Sequence, residues 1–289
     1  MDTVVEKLLS MKSKTSGYWS ERILSQLGYG FKLSQANENR YHGLINDAVE
    51  LLDKRLDEEG AITKPAAMEA ESMISGLSET AKDFKIICAA HAHIDMNWMW
   101  NYAETVAVTP DTFRTMLDLM REYPDFTFSQ SQASVYRIVE EYDPCMLDEI
   151  KARVKEGRWE VTASTWVETD KNMPSGESLA RHILYTKKYL SRLLDICPDS
   201  LKIDFEPDTF GHNRNVPEIL ANGGVKYYYH CRGYDRYNIY KWRSPSGKHI
   251  LVYREPFWYN AEINPSMALY VPEFCAKYGL DTMLKVYGV

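Results

Sequence analysis

The run FKIICAAHAHIDMNW, residues 84–98, marks where the chain changes character. Before it lie VVEKLLSM, SERILSQLGYG, ENRYHGLINDAVELLDKRLDEEG and KPAAMEAESMISGLSETAKD. Their apolar residues recur at spacings of three and four, which predicts helices, and Gly28, Gly30 and Gly60 read as breaks between them. FKIICAA itself is short and rich in β-formers, and runs of the same kind follow: FTFSQ, RWEVTAS, LKIDFE, KYYYH and HILVYR. Between these stand the helical patterns TPDTFRTMLDLMREY, YRIVEEYDPCMLDEIKARVKEG, SGESLARHILYTKKYLSRLLD and RNVPEILANGG. Strands alternating with helices imply parallel pairing through right-handed crossovers. The expected fold is therefore α/β, a barrel or open sheet over residues 84–289, preceded by a helical region over 1–83.

Composition narrows the function. A chain of 289 residues, 45% hydrophobic, can bury a substantial core. A net charge of −7, with Lys and Arg scattered, gives no footprint for nucleic acid. No stretch reaches the ~18 apolar residues of a membrane span, and the N-terminus lacks the apolar core of a signal peptide. A soluble, cytoplasmic protein is expected. Cys88, Cys145, Cys197, Cys231 and Cys275 are odd in number, with no CxxC, which suits free thiols rather than a disulfide framework.

Active sites of α/β folds gather at the carboxyl ends of strands, and the polar clusters sit there. In HAHID, imidazole and carboxylate are donors that zinc favours. Alternation along an extended segment puts His93 and Asp95 on one face. The same parity includes His91, so two or three of these could reach a metal; the plain alternative is a helix cap. In DFEPDTFGHN, Asp204, Glu206 and Asp208 share a parity until Pro207 turns the chain. Carboxylates gathered in an apolar site need a cation or shared protons, and a metal would serve. Parity does not choose between Glu206 and Asp208, and Asp208 could equally cap the helix in NVPEILANGG.

These residues carry a resemblance. HAHIDMNW resembles the HxHxDxxW signature of glycoside hydrolase family 38, the retaining α-mannosidases, and DTFGHN resembles that family's nucleophile motif. WVETDKNMPSGESLARH and KYYYHCRGYD extend the likeness from about Phe84 to the end. The resemblance implies an irregular (β/α) barrel of mainly parallel strands, of the glycoside hydrolase and deacetylase kind, acting on terminal α-mannosides in mannose-containing oligosaccharides. It implies Zn2+ held by His93, Asp95 and Asp208, with Asp208 also the nucleophile and His91 behind the ligands. Trp98 would wall the sugar pocket, Arg232 would neutralise charge near the nucleophile, and Tyr259 would contact the sugar. HIDMNW stands where the Golgi and lysosomal branch reads HNDPGW, and PSGES is nearer the bacterial and cytosolic branch.

The same resemblance implies parts not found among these positions. The family's fourth zinc ligand is a histidine in a segment that LKVYGV would precede, so the chain reads as the N-terminal part of a longer enzyme, with weak, partial or no zinc occupancy expected and activity inferred for the parent enzyme rather than for this chain. The general acid/base is unassigned, with Glu206, Asp235 and Glu262 as candidates. Two other classes stay open. An amidohydrolase or deacetylase-type metal hydrolase would use His91 with His93, with His212 and His230 available but no convincing lysine. A non-catalytic metal- or sugar-binding fragment is the other. The helical front is expected to pack on the second part, with homo-oligomer contact as its second use.

Overall fold

The computed structural model describes residues 3–288. Two compact units divide them: one holds the residues up to Ile87 together with Ile263–Leu284, the other Cys88–Glu262 with the chain from Lys285. The chain passes from one unit to the other three times.

The first unit is helical. α1 (Thr3–Lys14), α2 (Tyr18–Ala36), α3 (His42–Glu59), α4 (Lys64–Met73) and the single turn α5 (Ser78–Ala81) bury one apolar core, with Leu27, Ile45, Leu52 and Ala70 fully enclosed. Gly60 ends α3 as a break should, at φ 70° with its N–H on the Leu56 carbonyl; left-handed backbone favours glycine there. Thr63 opens α4 by accepting from the Ala66 N–H. Gly28 and Gly30 are not breaks, because α2 runs through both. A Cβ at Gly28 would stand 2.9 Å from Leu269, and one at Gly30 would stand 3.2 Å from Leu77. Close packing, rather than a turn, accounts for both glycines.

The second unit carries the α/β fold. In chain order come β1 (Lys85–His91), α6 (Tyr102–Glu122), β2 (Phe128–Gln130), α7 (Ala133–Tyr142), α8 (Met146–Lys155), β3 (Trp159–Val161) and α9 (Gly176–Leu194). Then follow β4 (Ile203–Glu206), α10 (Val216–Asn222), β5 (Tyr227–His230), β6 (Ile239–Arg243) and β7 (His249–Arg254); α11 (Val271–Tyr278) belongs to the helical unit, and β8 (Thr282–Gly288) leads from it back into the second. α6 starts seven residues before TPDTF: Asn101 caps it by accepting from Glu104 N–H, and Pro110 sits inside the helix. The single helix expected over YRIVEEYDPCMLDEIKARVKEG is two, because Asp143-Pro144 breaks it between α7 and α8.

The class is as expected: a helical region, then an α/β domain of mainly parallel strands. The strands lie in two four-stranded sheets, in the orders β3-β2-β1-β8 and β4-β5-β7-β6. β1–β2, β2–β3, β4–β5 and β5–β7 are parallel, and β6 returns antiparallel on β7. Register aligns the carboxyl ends: His91 pairs Ser129, Gln130 pairs Val161, Glu206 pairs His230, and His230 pairs Arg254. Within each sheet the loops after these strands therefore leave from one edge. Phe113, Tyr136 and Trp159 form an edge-to-face cluster with ring centroids 5.0–5.7 Å apart, which locks α6 and α7 onto β3.

Candidate active site

Loops after β1, β2, β3, β4, β5 and β7 bring the charged and aromatic residues together. Asp208, two residues past β4, is the centre. The Arg232 guanidinium, from the loop after β5, donates Nε at 2.7 Å and Nη2 at 2.5 Å to its Oδ1. Arg232 is itself flanked by aromatic faces, 4.2 Å from the Phe210 ring centroid and 4.7 Å from that of Trp258, an arrangement that suits guanidinium. The Tyr259 hydroxyl also hydrogen-bonds Asp208; burial, with the negative charge of Asp208, pushes that phenol above the ordinary tyrosine range.

Glu168, in the loop after β3, ties the site's two halves. Its Oε1 accepts the Asp208 backbone N–H at 2.6 Å and the Thr209 hydroxyl at 3.1 Å. Its Oε2 stands 3.0 Å from His93 Nδ1, off hydrogen-bond alignment, so both are buried polar atoms without an aligned partner. His93 Nε2 stands 3.1 Å from Asp95 Oδ1. Burial opposes a charged His93, but Glu168, Asp95 and Asp208 outweigh it and raise its pKa. The Tyr259 ring packs edge-on against His93, with centroids 5.3 Å apart. Gln132 fixes both flanks: its amide donates to the Ile94 carbonyl at 2.8 Å and accepts the Glu168 N–H at 2.9 Å. It does so from φ 63°, a left-handed backbone that costs a non-glycine residue ~1 kcal/mol or more.

His91 has separate partners. It is fully buried against Phe205, with centroids 4.5 Å apart, and 3.4 Å from Ser131 Oγ; burial pulls its pKa down to about 3. The paired HxH opening of an amidohydrolase is thus not presented as a unit. Trp98 is 69% exposed and meets Trp100 edge-on. A cavity of about 560 Å³ lies beside His93 and Asp95, bounded by Trp100, Glu104 and Tyr287.

The cation that the clustered carboxylates require is a side chain. Lys171, buried three residues after Glu168, sets Nζ 2.6 Å from Glu206 Oε1 and 3.3 Å from Asp204 Oδ2. Burial opposes its charge, but the two carboxylates win and raise its pKa. Burial also drives Glu206 well above the ordinary carboxylate range, despite Lys171. Thr209 Oγ1 stands 2.5 Å from Glu206 Oε2 while also reaching Glu168. One hydroxyl hydrogen cannot serve two carboxylates; a protonated Glu206 donating to Thr209 frees the hydroxyl to donate to Glu168. Enclosed in this way, Glu206 does not reach solvent as a general acid. Asp235 and Glu262 are exposed.

His93, Asp95 and Asp208 are donors of the kind zinc takes. Their arrangement is another matter. A ligating imidazole needs a free lone pair, whereas His93 faces carboxylates with both nitrogens and Asp208 Oδ1 is occupied by Arg232. Among the described residues no three His, Cys, Asp or Glu groups converge to hold a metal ion.

Sequence reading missed Glu168, Lys171, Gln132 and Thr209. WVETDK held the signal for two of them: a lysine three residues from a glutamate, in a loop at the edge to which Asp204 and Glu206 also point.

Comparison with known proteins accords with the geometry. Residues 83–287 match the model of the glycosyl hydrolases family 38 N-terminal domain. Alpha-mannosidase G of Dictyostelium discoideum is 34% identical over 143 residues, 49% of this chain and 13% of that protein. Alpha-mannosidase 2C1 of Homo sapiens is 27% identical over 239 residues, 80% of this chain and 22% of that protein. An alpha-mannosidase from Enterococcus faecalis V583 shares the fold at TM-score 0.61 and 19% identity, over 71% of this chain and 25% of that one. The chain thus spans under a quarter of the length of these curated relatives. It belongs to glycosyl hydrolase family 38, through that family's N-terminal domain.

Proposed function

We propose that residues 84–289 are the nucleophile-bearing part of a retaining α-mannosidase acting on terminal α-mannosides of oligosaccharides. The observation that carries this is Asp208, held at the exit of a parallel strand by Arg232 and Tyr259 in a chain of this family. Arg232 occupies Oδ1, so Oδ2 is the oxygen that attacks the anomeric carbon. The glycosidic C–O bond breaks as the ester forms, and the leaving oxygen takes a proton from a carboxylic acid; water then attacks the anomeric carbon, giving its proton to the carboxylate so formed, and the bond from that carbon to Asp208 breaks, restoring both groups. Arg232 sets a positive charge against the carboxylate and fixes its orientation. Glu168 and Gln132 fix the loops carrying His93, Asp95 and Asp208. Tyr259 stands where it can meet a sugar bound at Asp208, and Trp98 is an exposed face for the same sugar.

The cofactor in this reading is Zn2+, with His93, Asp95 and Asp208 as donors once their present pairings open; when bound it supplies positive charge to sugar hydroxyls. Placement in the cytoplasm accords with free thiols at all five cysteines. No described helix is long and apolar enough to cross a membrane.

The test is hydrolysis of aryl α-mannosides by the protein, with and without a chelator, beside Asp208→Ala. The reading expects activity to fall with either change. Activity indifferent to both would overturn it. Trapping with a fluorinated mannosyl donor should add one mannosyl mass at Asp208.

A further inference from the structure

One face of α9, with Trp166 from the loop after β3, borders a cavity of about 680 Å³, within the ~300–1,000 Å³ range of small-ligand sites. Arg181, Tyr185, Lys188 and Arg192 all line it, at intervals of four, three and four residues that set them on one side of the helix. No acidic side chain lines it among the described residues. Lys188 and Arg192 stand one turn apart, a like-charge pairing that weakens a helix until an anion offsets it. Neither makes an ion pair among the described residues; Glu140 feels the Arg192 charge without pairing it. Arg181 is held in place instead, its Nε donating to Glu177 Oε1 at 2.7 Å and its Nη1 to the Tyr185 hydroxyl at 2.8 Å.

Cations alone would make only a charged surface, but this cavity is walled by rings. Trp166 and Tyr189 meet with centroids 5.1 Å apart, and the Tyr189 hydroxyl donates to Glu140 Oε2 at 2.7 Å, which fixes that ring. Tyr185, 49% exposed, lies one turn before Tyr189. His182 also borders the cavity, with a buried Nδ1 that has no hydrogen-bond partner. Aromatic faces take another planar ring by stacking, while guanidinium and ammonium groups take phosphate oxygens. Two unpaired cations match the roughly two negative charges of one phosphate monoester. The cavity shares no lining residue with the site at Asp208.

We propose that this cavity binds a nucleoside monophosphate, its base stacked among Trp166, Tyr185 and Tyr189 and its phosphate held by Lys188 and Arg192. The proposal is independent of the reading of Asp208. It is tested by calorimetric titration of the protein with AMP, UMP, adenosine, ribose 5-phosphate and inorganic phosphate. At least one nucleotide should bind about tenfold tighter than ribose 5-phosphate or phosphate, as stacking of one base provides. AMP should also bind about tenfold tighter than adenosine, through charge-assisted contacts to its phosphate. Lys188→Ala with Arg192→Ala should remove the advantage over adenosine, and Tyr185→Ala should reduce that over ribose 5-phosphate. All three positions are exposed, and circular dichroism checks that the fold is kept. Ribose 5-phosphate or phosphate binding as tightly as the nucleotides would mark a plain anion site and overturn the proposal. Nucleotide affinity that survives the double variant, or binding of neither nucleotide, would overturn it too.

Discussion

Arg232 places two nitrogens on a single oxygen of Asp208, leaving the other oxygen of that carboxylate to a different task. A charge-assisted contact of this geometry orients as well as neutralises. Arg232→Gln should lower kcat/KM on aryl α-mannosides ~10²–10³-fold, the usual effect of removing one electrostatic contact from a reacting group. Steady-state kinetics measure it, and a loss under threefold would remove Arg232 from the chemistry.

Glu168 touches the His93 ring and the Asp208 backbone at once. Glu168→Gln keeps the shape and removes the charge. Groups that orient metal ligands typically contribute 10–100-fold to affinity, so zinc affinity, measured by competition with a chromophoric chelator, should fall by about that factor. Unchanged affinity would mean that the His93 contact does not orient a ligand.

Lys171 is the cation beside two fully buried carboxyl groups, Asp204 and Glu206. Removing one partner of a buried ion cluster costs ~3–5 kcal/mol. Lys171→Met should lose that much in chemical denaturation, and adding Asp204→Asn with Glu206→Gln should recover most of it. If the triple variant is no more stable than the single one, the loss is one of packing rather than uncompensated charge.

His91 and His230 are held near pKa 3 and 4 by burial. In an unfolded chain both titrate near 6.5, so below that pH the unfolded state binds more protons and stability falls. The stability from neutral His230 is present above about pH 6.5 and lost as pH drops toward 4, ~2 kcal/mol of it between pH 7 and pH 5. Denaturant midpoints at the two pH values, in wild type and His230→Gln, check this; the variant should show the smaller drop.

Much of this was legible from residue order alone. Apolar period separated helix from strand, and strand-end placement gathered HAHID and EPDTFGHN, with WVETD and CRGYD joining them through the family resemblance. Glycines were harder: Gly28, Gly30 and Gly60 look alike in a string, yet one needs left-handed backbone and two need the room that Leu269 and Leu77 leave. Parity was partly deceptive. It put His91 with His93 and Asp95, but the strand ends at His91 and the chain beyond it no longer alternates. The carboxylate cluster was seen and its need for a cation recognised, while Lys171 stayed hidden because a lysine in a polar loop ordinarily faces water.

The three passages of the chain between its units bear on how the protein can be cut. Val271, Phe274 and Cys275 of α11 are buried in the helical unit, where α11 packs on α2. A gene starting at residue 84 would encode every loop of the site yet strip those apolar residues of their cover, inviting aggregation. Subcloning, limited proteolysis and domain grafting would all meet the same obstacle: the seam visible in the string is not a place where the folded molecule comes apart.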